Sequence, residues 1–213
     1  MRLTVVFACS ILAAPLLAQD SRVQLELTLP AALVVNGEGP SVTTANLLAN
    51  AKTRELLRNG FPTALHFRAE LWRKSRWFDD PAGVTDWNVL VQYDPASQLY
   101  RIVRQHGNNQ LEDFGGFASL ASAEAQINRA YKIPLRPTRG GRYYYNLSLD
   151  IETLRVSDLD ALQRWLRGDF QPAVRGRSNP VTAIRRGVET LFSRVLGGEV
   201  RRYEQRSGIF RVG

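Results

Sequence analysis

The clearest strand in the chain is the stretch Tyr143-Tyr144-Tyr145-Asn146-Leu147-Ser148-Leu149-Asp150-Ile151-Glu152. Its odd-numbered positions are all apolar or aromatic, and its even-numbered positions from Asn146 onward are polar. Successive side chains of a β-strand point to opposite faces of the sheet, so this period of two predicts a strand with one buried face. Its length predicts a central place in the sheet.

Shorter segments on the N-terminal side show the same alternation. The residues Asp94 to Ser97 have the composition of a turn between two of these segments, which predicts an antiparallel hairpin. The predicted strands are 23–29, 65–72, 87–93 and 99–104, with 110–114 as a short edge strand.

Four segments have the composition or spacing of helices. Start and stop signals, mainly hydroxyl caps and glycine or proline after the last turn, set their predicted limits. The predicted helices are 46–58, capped by Thr43 or Thr44 and ended by Gly60; a second that begins at Ser119 or Ser122 and runs to Tyr131; 157–167, capped by Ser157; and 181–195.

Strands dominate the first part of the chain and helices the last. This order predicts an α+β fold: an antiparallel β-sheet or small β-sandwich with packed helices and a C-terminal amphipathic helix. The predicted organisation is a signal peptide at 1–18, an antiparallel β-rich body with helices at 19–167, a linker at 168–180, and a basic C-terminal helix and tail at 181–213.

The first eighteen residues have the form of an export signal, with Arg2 followed by an apolar run and a plausible cleavage point after Ala18. The run is shorter than the roughly 20 residues that a membrane-spanning helix needs. Two alternatives stay open: an uncleaved anchor, because Leu16 stands where a small residue is preferred, and a lipoprotein modified at Cys9. We expect a protein exported to the periplasm or elsewhere in the bacterial envelope, with no transmembrane segment after cleavage.

Cysteine usage limits the chemistry of the exported protein. Cys9 is the only cysteine, so a cleaved chain has no disulfide, no catalytic thiolate and no cysteine-bound metal. No P-loop, GxGxxG, HExxH or GxSxG motif occurs in the sequence. We therefore expect no cofactor and no bound metal, and the sequence offers no catalytic motif.

The net charge of +8 is concentrated in the last fifty residues. Residues 19–163 hold sixteen basic and sixteen acidic side chains, whereas residues 164–213 hold eleven arginines against four acids. Clustered guanidinium groups attract anionic partners, and export makes nucleic acid an improbable one. The sequence predicts contact with an anionic lipid surface or an envelope protein, through Arg185, Arg186, Arg194, Arg201 and Arg202; a solvated tail with no specific role is the alternative.

The predicted C-terminal helix has a narrow apolar stripe. Val181, Ile184, Val188, Leu191 and Val195 recur at spacings of three and four residues, which is typical of an amphipathic helix. Three uses of the stripe stay open, namely packing on the body, pairing with a partner helix, and lying on an anionic membrane surface. Packing on the body is the commonest of these.

An enzyme acting on an envelope polymer is the alternative function. Its site would lie among His66, Glu70 and Asp150, and it would need a deep pocket that joins at least two of these groups. Neighbouring carboxylates such as Asp79 and Asp80 are predicted to be solvated at the surface; a calcium site is the alternative, although the spaced ligand loop is missing.

Aromatic and basic residues are mixed between Trp72 and Trp77, where Arg73, Lys74 and Arg76 intervene. Such a mixture is able to stack on sugars or to bind an anionic strand. We favour a structural interpretation, in which these aromatic side chains pack at a strand end against a helix.

The chain resembles a bacterial family known as domain of unknown function 4390. The resemblance begins at Glu55–Pro62, continues through Ala64–Trp77 and Asp79, and includes Val89–Tyr93, Tyr100–Val103, Phe117 and Ala123–Ala125. It covers about residues 23–155. The resemblance implies an exported bacterial envelope protein with no assigned activity, so it carries over no catalytic residue.

Overall fold

A computed structural model describes residues 22–108, 110–153 and 200–213. Within these ranges the chain forms two short helices and two sheets. The strands are β1 (Gln24–Thr28), β2 (Ser41–Ala45), β3 (Thr63–Arg73), β4 (Asp80–Asp94), β5 (Leu99–Gln105), β6 (Leu111–Phe117), β7 (Tyr131–Lys132), β8 (Gly141–Thr153), β9 (Arg201–Arg206) and β10 (Phe210–Val212), and the helices are α1 (Ala51–Arg58) and α2 (Leu120–Ile127).

The larger sheet has the order β10-β8-β3-β4-β5-β6, and β9 also pairs with β8. All of its pairings are antiparallel. Strands β3 to β6 follow one another as a meander, and β8 returns to lie beside β3, as in a Greek key. The predicted antiparallel sheet is confirmed, and so is the interior place of β8, which is paired along both edges.

Strands β9 and β10 form one bulged edge strand along β8. The register runs from Ile151 opposite Arg201 to Asn146 opposite Arg206, and it then shifts by one residue before Tyr143 opposite Phe210. Ser207 bridges the shift: its amide donates to the Tyr145 carbonyl at 2.9 Å, and its hydroxyl accepts from the Tyr145 amide at 2.9 Å. The sequence pattern predicts no strand in this segment, only a tail after the C-terminal helix.

The core lies on one face of the larger sheet. The odd-numbered side chains of β3, β4 and β8 point to this face, where a three-stranded sheet of order β1-β2-β7 and the two helices cover them. Trp87 lies at the centre, stacked on Phe67 at 4.9 Å between ring centroids and 4.6 Å from the ring of Tyr131. Its side chain is 2% exposed.

The helix boundaries differ in part from the prediction. Asn50 caps α1, because its side chain accepts from the Thr53 amide at 3.1 Å. The predicted caps Thr43 and Thr44 are wrong, since both residues belong to β2 and pair with β1. Ser119, one of the two predicted starts, caps α2 within a capping box that includes Ser122. The predicted end at Tyr131 is wrong, because α2 ends at Ile127 and Tyr131 belongs to β7.

Several predicted segments lie outside the described residues. They are the signal peptide at 1–18, the helices at 157–167 and 181–195, and the linker at 168–180. Of the two helices that are described, neither has the length and apolarity needed to cross a membrane.

Substitution of Trp87 by alanine tests the position of the core. Removing a buried indole with two aromatic neighbours, Phe67 and Tyr131, should lower the free energy of unfolding by about 3–5 kcal/mol. The matched control is Val84→Ala on the same strand, where the side chain is 51% exposed and the expected change is within about 0.5 kcal/mol. Equal effects of the two substitutions in urea denaturation would contradict the assigned core face.

Candidate functional site

The outer face of the larger sheet, opposite the core, is rich in polar and charged side chains. It is formed by the even-numbered positions of β3, β4, β8 and β9, because the antiparallel register places these positions directly opposite one another. The register therefore brings together side chains from distant parts of the sequence. It is the surface on which the predicted catalytic residues His66, Glu70 and Asp150 lie, together with Arg202.

A row of polar contacts crosses five strands of the outer face. Asn88 donates to Gln105 at 3.0 Å, and its Oδ1 lies 2.6 Å from His66 Nδ1. His66 lies directly opposite Asp150 in the β3–β8 register. Asp150 in turn accepts two hydrogen bonds from the Arg202 guanidinium, at 2.7 and 2.8 Å. The row joins β5 to the edge strand β9.

A second cluster surrounds Glu70. Arg68 Nε donates to Glu70 Oε1 at 2.9 Å, and Trp72 Nε1 donates to Glu70 Oε2 at 3.0 Å. The hydrogen bonds from Arg68 and then Trp72 lower the pKa of Glu70 below its usual value. Arg68 also reaches Asp86 at 3.3 Å. Glu70 is therefore ionised near neutral pH and has two fixed donors.

A groove of about 660 Å³ runs along the outer face between β3, β8 and β9. At one end of the groove, the Arg206 guanidinium lies 3.7 Å from the centre of the Tyr144 ring. The Tyr144 hydroxyl donates to Asp79 at 2.9 Å, and Asp79 pairs with Lys74 at 3.1 Å. The groove is lined by Arg68, Glu70, Asn146, Leu147, Ser148, Arg202, Glu204, Gln205 and Arg206.

The three predicted catalytic residues lie on the same sheet face, but they do not form an acid–base pair. Glu70 lines the groove, whereas His66 and Asp150 do not. The hydrogen bonds from Arg202 lower the pKa of Asp150, as other donors do for Glu70. Both carboxyls are thus ionised, whereas acid–base catalysis needs two groups whose pKa values are driven apart. Among the described residues, no group of three or more side chains is suited to a metal ion.

Two of the five predicted partner-binding arginines are described, and both have partners within the protein. Arg201 donates to the Thr53 hydroxyl at 2.7 Å, and Arg202 holds Asp150. Arg185, Arg186 and Arg194 lie outside the described residues, so their role stays a prediction. The contacts of Arg201 and Arg202 attach the edge strand to α1 and to β8.

A second concentration of positive charge, which the charge count does not reveal, lies at one end of the larger sheet, and we call it the basic end. Arg142 lies directly opposite Arg211 on the paired strands β8 and β10. Arg139 is in the segment before β8, and Arg76 is in the turn between β3 and β4. The base of this turn contacts β8, because the Lys74 amide donates to the Arg142 carbonyl at 2.7 Å. In the described part of the chain, none of the four arginines is ion-paired with a carboxylate.

A sequence signal for the basic end exists in the segment from Arg136 to Arg142. It contains three arginines and no acid, but the charge count placed it within a body of zero net charge. Acidic residues elsewhere in residues 19–163 cancel these three arginines in the net charge of that range. Only the sheet register shows that these arginines lie next to Arg211.

The turn of the β3–β4 hairpin carries two exposed aromatic side chains, Trp77 and Phe78, which are 81% and 84% exposed. The predicted packing of the aromatic residues at a strand end is therefore wrong for Trp77. Trp72 is half-buried, and its indole donates to Glu70. The difference arises because Trp72 is within the strand, whereas Trp77 is beyond its last paired residue, Arg73.

Comparison with known proteins gives one match. A family model described as domain of unknown function (DUF4390) matches residues 33–163, which is more than half of the chain. This confirms the resemblance seen in the sequence. No curated protein and no solved structure matches the chain.

The ion pair of Asp150 with Arg202 predicts how the stability of the fold depends on pH. The Asp150 pKa is lowered in the folded protein, so the pair stabilises the fold at pH values above the ordinary Asp value of 3.8 and is lost as the pH falls through the lower folded value. In Arg202→Gln, we expect the Asp150 pKa measured by NMR to rise towards 3.8. The stability difference from the native protein should be present at neutral pH and vanish in acid.

The control for this titration is Arg101→Gln, which removes a cation from an exposed pair with Asp113 on β5 and β6. It should leave the Asp150 pKa unchanged. An unchanged Asp150 pKa in Arg202→Gln would show that, in solution, the two hydrogen bonds from Arg202 do not lower the Asp150 pKa.

Proposed function

This chain belongs to the DUF4390 family, and we propose that it is an exported, non-enzymatic binding module of the bacterial envelope that contacts an anionic surface through its basic end. The export signal predicted at residues 1–18 supports the location. The resemblance to a family of envelope proteins without an assigned activity supports it as well.

The observation that carries the proposal is the pairing of Arg142 with Arg211. Like charges directly opposite each other on paired strands destabilise a sheet. Elsewhere on the outer face Arg68 has Glu70 as its acidic partner and Arg202 has Asp150, while Arg206 lies over the Tyr144 ring. A repulsive pair beside otherwise balanced charges is expected where an external anion compensates it.

The outer face supports binding more strongly than hydrolysis. The groove is open, and its single predicted catalytic residue, Glu70, is an ionised carboxylate held by Arg68 and Trp72. A general acid needs a raised pKa, and that of Glu70 is lowered. The ion pair of Arg202 with Asp150 joins β9 to β8, which is a structural role.

The C-terminal segment contributes to the proposed surface as part of the sheet. Its Arg211 belongs to β10, and its Arg206 lines the groove. Deleting residues 181–213 would remove β9 and β10 and expose the edge of β8. A loss of binding in such a truncation could therefore not be distinguished from a loss of folding. Point substitutions are the appropriate test.

Vesicle binding tests the proposed function. The probe is phosphatidylglycerol mixed with phosphatidylcholine, against phosphatidylcholine alone, in co-sedimentation. We expect binding only to the anionic vesicles, weakening as salt rises from about 0.05 M to about 0.5 M. The double substitution Arg142→Gln and Arg211→Gln should weaken binding at low salt by at least about tenfold, at roughly fivefold for each lost cation.

The matched control has the same net charge and removes Arg22 and Arg58, which are exposed and lie away from the basic end. The control should retain nearly all of the binding. Equal losses in the two double variants would mean that only net charge matters, and no binding of the native protein at low salt would refute the proposal.

The pair Arg142–Arg211 also predicts that a substitution which weakens vesicle binding raises the stability of the fold. Arg211→Gln removes the repulsion with Arg142, so the free energy of unfolding should rise at low salt. The gain should shrink in high salt, where the charges are screened. Urea denaturation at the two salt concentrations measures this effect, and Arg58→Gln is the control. A loss of stability in Arg211→Gln at low salt would contradict the repulsive pair.

A further inference from the structure

The turn between β3 and β4, residues 74–79, presents its aromatic side chains on a fixed base. Asp79 accepts hydrogen bonds from the Lys74 ammonium, the Ser75 amide and the Tyr144 hydroxyl, at 3.1, 3.4 and 2.9 Å. The Lys74 amide is also bonded to the Arg142 carbonyl. The base of the turn is therefore tied to β8, while Trp77 and Phe78 project beyond it.

Exposed aromatic side chains of this size are costly in water. Trp and Phe are among the residues that gain most from leaving water, and adjacent exposed ones mark a contact surface more often than a scattered single residue does. The Arg76 guanidinium lies 5.7 Å from the Trp77 ring centre, which places a cation beside the aromatic pair. The tip thus combines apolar area with positive charge.

The cations of the basic end flank this tip. Arg142 is bonded through its carbonyl to the base of the turn, and Arg211 lies directly opposite it. The acidic side chains here are already paired, Asp79 of the turn with Lys74 and Asp80 at the start of β4 with Arg73. The remaining charged side chains that flank the tip are therefore arginines, and they come from three separate segments of the chain.

We propose that the tip, Trp77 and Phe78, inserts into the interfacial region of an anionic lipid bilayer while Arg76, Arg142 and Arg211 contact the headgroups. This inference rests on the proposed function, because it names the anionic surface as a bilayer and adds insertion to electrostatic contact. Indole and phenyl rings favour the boundary between headgroups and acyl chains, and basic residues beside them favour anionic lipids.

A bilayer fits these features better than a pocket in a partner protein. A pocket for two aromatic rings is satisfied by apolar area alone, whereas here the rings lie beside arginines spread over β8, β10 and the turn. Anionic headgroups form a continuous surface, so they are able to contact all of these cations at once. Insertion also leaves the groove on the outer face accessible.

A fluorescent label at the tip tests insertion directly. In a Cys9→Ser background the chain has no other cysteine, so Trp77→Cys is labelled at one position with an environment-sensitive NBD group. The control label is at Ala96→Cys, in the β4–β5 turn at the opposite end of the sheet. With phosphatidylglycerol-containing vesicles, we expect a blue shift and quenching by doxyl lipids at position 77 and neither at position 96.

A second experiment leaves the tip unlabelled. The double substitution Trp77→Ser and Phe78→Ser should weaken vesicle binding on the order of tenfold or more, because the apolar area that enters the interface is lost. The binding that remains should still fall with salt. Circular dichroism and the unfolding midpoint should be unchanged, because both side chains are exposed in the native protein.

The outcomes separate the two proposals. Salt-sensitive binding to anionic vesicles, with no change at label 77 and no effect of the serine variant, overturns insertion and leaves the proposed function standing. Failure of the native protein to bind these vesicles at low salt overturns both. A blue shift at position 96 equal to that at position 77 also overturns insertion by the tip.

Discussion

The pairing of β8 with strands on both of its edges is the constraint on which the described fold depends. On one edge β3 runs antiparallel to it from Thr63 opposite Thr153 to Arg73 opposite Tyr143. On the other edge β9 and β10 follow it with a single bulge. Because side chains alternate along each strand, this register fixes at once which residues enter the core and which share the outer face.

The two faces use different means of stabilisation. The core face buries aliphatic and aromatic side chains around Trp87, and such burial is the dominant favourable contribution to folding. The outer face contains partly exposed ion pairs and hydrogen bonds, which individually contribute little but place the strands relative to one another. Asp150 and Glu70 act there as acceptors for arginines. Two carboxylates whose pKa values are both lowered do not favour acid–base catalysis.

The charge of this protein acts through its local distribution. The outer face has both signs and is largely compensated, whereas at the basic end Arg142 lies opposite Arg211 in the strand register, beside a turn with two exposed aromatic residues. Under the function proposed above, an anionic surface supplies the charge that compensates this pair. Asp79 and Tyr144 hold the base of the aromatic turn, while its two aromatic side chains remain uncovered by the described chain.

The sequence by itself determined the elements that depend on local patterns. The alternation in Tyr143–Glu152 predicts a strand, and the structure has one there that is paired on both edges. Asp94–Ser97 predicts a hairpin turn, which is also present, and the family resemblance is confirmed. The cap of α1 was misplaced, because Thr43 and Thr44 pair with β1, and such pairing is not encoded in the residues next to them. The edge strand at 201–212 was missed for the same reason, since polar residues form a strand there by bonding to β8.

Only the tertiary structure decided the surroundings of the charged and aromatic residues. Counting charges along the chain placed the excess in the last fifty residues and predicted Arg201 and Arg202 as partner-binding groups. In the fold, Arg201 and Arg202 bind partners within the protein, whereas Arg142 and Arg211 lie opposite each other on paired strands. The physical reason is that electrostatic interaction depends on separation in space, and the sheet register sets that separation for residues far apart in sequence.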